Sequence, residues 1–89
     1  MKTARRYVIS GRVQGVGFRR FAQEAAEVLG VEGWVRNRDD GSVEAYVIGT
    51  SDQQAGMAGR LRAGPRWASV RAVKDEEAAM LELKGFRIR

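Results

Sequence analysis

The stretch RRYVISGRVQGVGFRRFAQEAAEVLG (residues 5–30) predicts a strand, a glycine-rich loop and a helix in direct succession. In residues 5–12 the side chains alternate with a period of two, which is typical of a strand and sets Tyr7 and Ile9 on one face. Gly30 suits the left-handed conformation at which helices commonly end. Between the loop and Gly30 the apolar residues recur at helical spacing, at Phe18, Phe21, Ala22, Ala25 and Leu29.

The rest of the chain predicts up to four further strands and a second helix. Alternation and turn signals place the strands at residues 31–37, 42–49, 68–74 and 86–89. The pair Asp40–Gly41 indicates a tight hairpin turn. A second helix is expected over 50–64, although Gly56 and Gly59 each weaken it by about 1 kcal/mol. Residues 75–85 are ambiguous, because EEAAMLEL would also suit a helix.

This order, β-α-β-β-α-β, predicts an α+β fold of the ferredoxin-like, split β-α-β kind. We expect one domain over residues 1–89, with an antiparallel sheet of four to five strands and two helices packed on one face. In such a sheet the first and second strands run parallel and the third lies between them. The loop at residues 13–19 and Asn37 should therefore meet at one sheet edge, about 10 Å apart at backbone level.

The amino-acid composition limits which catalytic groups and partners the chain can have. The chain has no cysteine and no histidine, which excludes thiolate nucleophiles, disulfides, phosphohistidine and the commonest general base and metal ligand. Its net charge of +5, with 13 arginines spread along the sequence, favours anionic partners. Because no apolar N-terminal run resembles a signal peptide, we expect a cytoplasmic protein.

Three interpretations compete for residues 13–19, VQGVGFR. A plain strand-to-helix turn explains one or two glycines, but not an arginine in the first helical turn, where it opposes the helix dipole. An RNA-binding strand would need a basic residue at Gln14 and an aromatic at Val16, and would belong on the third strand. The third interpretation is an anion site, in which loop amides at a helix N-terminus and the guanidinium of Arg19 bind one phosphoryl group.

Such a site suits a substrate with a good leaving group. The sequence offers no covalent nucleophile here, and the polar side chain expected at the same edge is Asn37. An amide can orient an attacking water but cannot take its proton. A carboxylate, with an acid pKa of about 4–5, leaves without a general acid. The residues therefore favour acyl phosphates over phosphate monoesters, whereas Asn37 could also be a plain strand-end residue.

Two long motifs resemble the acylphosphatase family. ISGRVQGVGFR (residues 9–19) resembles its first signature and GWVRNRDDGSVEAYVIG (33–49) its second, with weaker similarity through AGPRWASVRAV and the closing FRIR. The resemblance implies metal-independent hydrolysis of acyl phosphates to a carboxylate and phosphate, with no cofactor. It places the catalytic arginine at Arg19 and the water-positioning asparagine at Asn37. It places the substrate-binding loop residues at Gln14, Gly15, Val16, Gly17, Phe18 and Arg19.

The expected partner is thus a small acyl phosphate, with phosphate or sulfate as product or analogue. We expect a monomer that binds neither nucleic acid nor membrane and holds no metal. Two alternatives stay open: a ferredoxin-like module that binds nucleic acid, and a phosphate-binding relic without turnover. The first alternative predicts affinity that falls steeply with salt and does not depend on Arg19 or Asn37.

Overall fold

The computed structural model describes residues 1–89 throughout, as five strands and two helices. In chain order these are β1 (Thr3–Arg12), α1 (Phe18–Leu29), β2 (Glu32–Asn37), β3 (Val43–Gly49), α2 (Ser51–Ala63), β4 (Ser69–Glu77) and β5 (Phe86–Ile88). The predicted order of elements and the ferredoxin-like α+β fold are confirmed. Neither helix has the length and apolarity needed to cross a membrane.

The five strands form one sheet in the order β4-β1-β3-β2-β5. β3 lies between β1 and β2 and is antiparallel to both, so the predicted parallel pair with an inserted strand is present. The expected antiparallel pairing is present in three of the four neighbouring pairs, and the fourth, β2 with β5, is parallel. The reason is topological. β4 and β5 lie at opposite edges, and the chain reverses its direction once as it crosses the sheet between them.

The main core lies between the sheet and the two helices. Alternate residues of the strands point toward the helices and are almost fully buried, including Tyr7, Ile9, Val35, Val43 and Val47. They pack with helix residues, among them Phe18, Ala22, Met57 and Leu61. Full burial of one such large side chain stabilises the fold by about 1.5–3 kcal/mol.

Helix α2 is unbroken despite its glycines. Its start is a capping box, in which Thr50 Oγ1 accepts from the Gln53 amide at 3.2 Å and Gln53 Oε1 accepts from the Thr50 amide at 2.8 Å. Gly56 lies where a Cβ atom would come within 3.1 Å of the Leu29 side chain. The residue that weakens the helix locally therefore lets the two helices pack closely.

Residues 78–85, here called the crossing segment, carry the chain from β4 to β5 over the sheet face opposite the helices. The ambiguous residues 75–85 are thus extended: β4 continues to Glu77, and no helix follows. Tyr46, at the middle of β3, contacts the crossing segment through its hydroxyl group. Tyr46 Oη donates to the Ala79 oxygen at 2.6 Å and accepts from the Leu81 amide at 2.9 Å.

Candidate active site

The loop between β1 and α1 owes its shape to two glycines in the left-handed region. Gly15 has φ +73° and Gly17 has φ +77°, and Gly17 is the N-cap of α1. A Cβ atom at either position would meet no atom within 4 Å. Backbone conformation, and not lack of space, therefore requires glycine at both positions.

The backbone amides that follow this turn have no acceptor within the protein. Gly17 offers no side-chain cap, the first turn of α1 contains no acidic residue, and no N–H group of residues 14–20 donates to another part of the chain. A helix N-terminus left in this state carries partial positive charge on converging donors. Donors in this arrangement can bind an anion.

The side chain of Gln14 ties the loop to the β2–β3 hairpin. Its Nε2 donates to the main-chain oxygens of Arg38 at 2.8 Å and Ser42 at 2.9 Å. The hairpin is itself fixed by Asp40, whose Oδ1 accepts from the Ser42 hydroxyl and amide groups. These bonds, the hydroxyl one above all, lower the pKa of Asp40 and keep it ionised.

Arg19 lies in the first turn of α1 and is half-buried. Its Nη1 donates to the main-chain oxygen of Arg89 at 3.1 Å. Arg89 directly follows β5, and its amide donates to the Val35 oxygen at 2.8 Å, which extends the pairing with β2. Arg19 is thus held at one side of its guanidinium group while its other donors stay available.

Asn37 is the last residue of β2 and lies two positions after the buried Val35, on the same face of the sheet. It lines the same cavity as the loop, a depression of about 200 Å³. The residues around this cavity are Val13, Gly15, Gly17, Phe18, Arg19, Arg20, Asn37 and Ile88. The loop and the end of β2 therefore lie together, as the topology predicts.

The predicted residues do not all reach this cavity. Gly15, Gly17, Phe18, Arg19 and Asn37 line it, whereas Gln14 and Val16 do not. Val16 packs half-buried against the core, and Gln14 binds the hairpin. Their expected contribution is a main-chain amide, which needs no side chain in the cavity.

Val13 belongs to the predicted loop 13–19, and sequence reasoning missed two further contributors, Arg20 and Ile88. Arg20 is exposed and forms only an i,i+4 ion pair with Glu24 at 3.6 Å. Ile88 reaches the cavity because β5 pairs with β2, a pairing that no local signal indicates. The lining contains two guanidinium groups and no carboxylate, so the cavity attracts anions.

A larger cavity of about 880 Å³ lies on the other face, between β2 and the crossing segment. Its lining mixes acidic, basic and apolar side chains, among them Glu32, Glu82, Lys84 and Leu83. It contains no helix N-terminus. The smaller cavity is therefore the better candidate for a phosphoryl group.

Residues 5–88 match the acylphosphatase family model. The chain belongs to the acylphosphatase family. An acylphosphatase of Solibacter usitatus is 51% identical over 86 residues, which cover 97% of this chain and 90% of that protein. An acylphosphatase structure from Coxiella burnetii superposes with a TM-score of 0.95 at 36% identity, covering 99% of this chain and 93% of that one. An acylphosphatase structure from Bacillus subtilis superposes with a TM-score of 0.93 at 36% identity, covering 100% of this chain and 99% of that one.

These findings confirm the resemblance seen in the two motifs. The chain is a hydrolase of the acylphosphatase family, which implies a small acyl phosphate as substrate. They do not favour the nucleic-acid-binding alternative.

Proposed function

We propose that the phosphoryl group of an acyl phosphate binds to the main-chain amides of residues 14–18 and to Arg19, and that Asn37 orients the attacking water. One observation carries this proposal. An uninterrupted series of amides without acceptors lies on a loop that lines the same cavity as Arg19 and Asn37. Loop amides and a planar guanidinium group together match the oxygens of one phosphoryl group.

Binding in this arrangement concentrates positive charge where the transition state needs it. The amides are fixed by the strand before them and the helix after them, so they need little reorganisation when the substrate arrives. Arg19 is positioned from its other side by Arg89. Removal of one preorganised donor in such a site costs on the order of 10²–10³ in rate.

The proposed reaction is an in-line displacement. The oxygen of a water held by the Asn37 side chain attacks phosphorus, and the bond from phosphorus to the acyl oxygen breaks. The carboxylate leaves with the electron pair of that bond. Both hydrogens of the water end on the phosphate, so a dianionic acyl phosphate gives a carboxylate and a dihydrogen phosphate ion. No general acid is needed, because a carboxylate is a weak base.

We further propose that turnover needs neither metal nor cofactor. The support is chemical: loop amides and Arg19 supply the positive charge that a metal ion would otherwise bring to the phosphoryl oxygens. The test is phosphate release from benzoyl phosphate in excess EDTA. We expect the same rate with and without the chelator, well above the uncatalysed rate. Hydrolysis that stops in EDTA and returns with added Mg²⁺ would contradict this part of the proposal.

Residues 1–89 are proposed to act as one domain and as a monomer in the cytoplasm, without nucleic acid or membrane. The cavity residues come from the loop after β1 and from α1, β2 and β5 of a single chain, so the site needs no second copy. Size-exclusion chromatography with light scattering, over a range of protein concentrations, tests the monomer. Retention on heparin that depends on Arg19 would instead indicate that the phosphate site binds polyanions.

A further inference from the structure

We propose that Tyr46 is a positioning residue for Arg19, although it lies on the opposite face of the sheet. The proposal rests on the function proposed for Arg19. Tyr46 acts through the crossing segment and β5, which place the main-chain oxygen of Arg89 against the guanidinium group of Arg19.

Tyr46 fixes the crossing segment at two points. It is 4% exposed, and its hydroxyl group both donates to Ala79 and accepts from Leu81, so both hydrogen-bonding roles of the hydroxyl are used. The crossing segment has no regular structure, and the side chains of Met80 and Leu81 are about half exposed. At its start the Ala78 amide donates to the Ala4 oxygen at 2.9 Å, and Ala78 and Leu83 pack against the sheet, but at the exposed middle the two bonds to Tyr46 are what hold the segment.

The crossing segment in turn leads into β5. The Gly33 amide donates to the Gly85 oxygen at 3.0 Å, and β5 then pairs with β2. β5 has only three residues and one neighbouring strand. Such a short edge strand is marginal alone and depends on how the chain enters it.

A second contact joins Tyr46 to Arg89 without the crossing segment. The Tyr46 ring stacks on Trp34 with centroids 5.8 Å apart and an interplanar angle of 14°. The guanidinium carbon of Arg89 lies 4.5 Å from the centroid of the Trp34 ring, within range of a cation–π interaction. Tyr46 therefore supports Arg89 through the strand backbone and through a stacked side chain.

The consequence for Arg19 is specific. Its hydrogen bond to Arg89 fixes the guanidinium plane, and a bidentate phosphate contact depends on that plane. When the hydroxyl group of Tyr46 is removed, the crossing segment loses both bonds, β5 becomes more mobile, and Arg19 loses its fixed partner. Phosphate binding then weakens although no residue of the cavity has changed.

The test compares the two tyrosines of the chain. Tyr46→Phe keeps the ring and its stacking on Trp34 but removes both hydroxyl bonds. Tyr7→Phe is the matched control, because the Tyr7 hydroxyl is also buried and donates to Gln54 Oε1 at 2.7 Å, on the helix face. The probe is inorganic phosphate, measured by titration calorimetry, which does not depend on turnover.

Both substitutions are expected to lower the urea midpoint of unfolding. Only Tyr46→Phe should weaken phosphate binding, by about 3- to 10-fold. This loss corresponds to part of the contribution of one charged hydrogen bond. In the background Arg19→Gln, the substitution Tyr46→Phe should have no further effect on phosphate affinity. Unchanged affinity in folded Tyr46→Phe, or equal weakening in Tyr7→Phe, would overturn the proposal. If Arg19→Gln itself leaves phosphate affinity unchanged, the proposed function of Arg19 fails instead.

A second variant covers the case in which Tyr46→Phe does not fold. Gly85→Ala strains the end of the crossing segment at φ +70°, with no atom within 4 Å of the new Cβ. Gly30→Ala is its control: it has φ +76° at the C-terminal end of α1, and the new Cβ would make only an ordinary contact, at 3.7 Å from Gln53 Nε2. Gly85→Ala should weaken phosphate binding severalfold and Gly30→Ala should not. The reverse order would overturn the proposal.

Discussion

The side-chain amide of Gln14 donates a hydrogen bond of 2.9 Å to the main-chain oxygen of Ser42 and so joins the glycine-rich loop to the hairpin after Asn37. The same Nε2 also donates to Arg38. The two halves of the candidate site are thus fixed relative to one another by a residue whose side chain does not line the cavity.

The first prediction is that Gln14→Met lowers both kcat/KM and the free energy of unfolding. Methionine keeps the length of the side chain and removes both donors. We expect kcat/KM for benzoyl phosphate to fall about tenfold, because the loop and Asn37 lose their common anchor. The free energy of unfolding should fall by about 1–2 kcal/mol. Unchanged kcat/KM in a destabilised variant would show that the anchor is structural only.

The second prediction separates the roles of Asn37 and Arg19. Asn37→Ala should lower kcat by about 10²–10³ while the affinity for inorganic phosphate stays within about twofold, since the amide acts on the water. Arg19→Ala should lower both. Steady-state kinetics together with phosphate titration measure the two effects. A loss of phosphate affinity in Asn37→Ala would assign that residue to substrate binding.

The third prediction concerns the shape of the cation at position 19. Arg19→Lys keeps the charge but loses the planar fork and the donor to Arg89. We expect at least a tenfold loss of kcat/KM, about 1.4 kcal/mol of transition-state stabilisation. Near wild-type activity would mean that charge alone is sufficient and that the bidentate geometry is irrelevant.

The fourth prediction is that alanine has opposite effects at two glycines that both have open space around them. Gly17→Ala places a Cβ in the left-handed region at φ +77°, which costs about 1–2 kcal/mol. Gly59→Ala lies within α2 at an ordinary helical φ and should stabilise the protein by about 1 kcal/mol. Urea unfolding of both variants measures the difference. Stabilisation by Gly17→Ala would contradict the conformational argument.

The fifth prediction concerns alkaline pH. Burial, with a smaller contribution from Asp75, raises the pKa of Tyr7 above its ordinary value near 10. A raised folded-state pKa gives stability that is present in full below the unfolded pKa and is lost as pH rises through the folded value. Urea midpoints should therefore fall above about pH 10. This fall should be smaller in Tyr7→Phe. An equally steep fall in that variant would assign the alkaline loss to other groups.

The strand, loop and helix of residues 5–30 could be predicted because their period changes from two to 3.6 within one stretch. The proximity of Arg19 to Asn37 followed from topology alone, since two parallel strands around an inserted third end at the same edge. Both inferences need only local sequence patterns and one rule about how strands are connected, and the sequence supplies all of those patterns.

Residues 75–85 could not be predicted, because long-range pairing outweighs their helical propensity. Residues 75–77 are paired with β1, which keeps β4 extended to Glu77, and Arg5 and Arg6 add ion pairs with Asp75 and Glu76. The composition of residues 75–85 alone does not indicate those partners. The role of the Gln14 side chain was hidden for a related reason: its acceptors are main-chain oxygens, which any residue supplies.

The contact between Arg19 and Arg89 spans a sequence separation of 70 residues. It can form only when β5 is docked at the edge of the sheet, and pairings of such long sequence separation are the ones that slow folding. Activity in this chain reports the completion of folding, and not merely its onset.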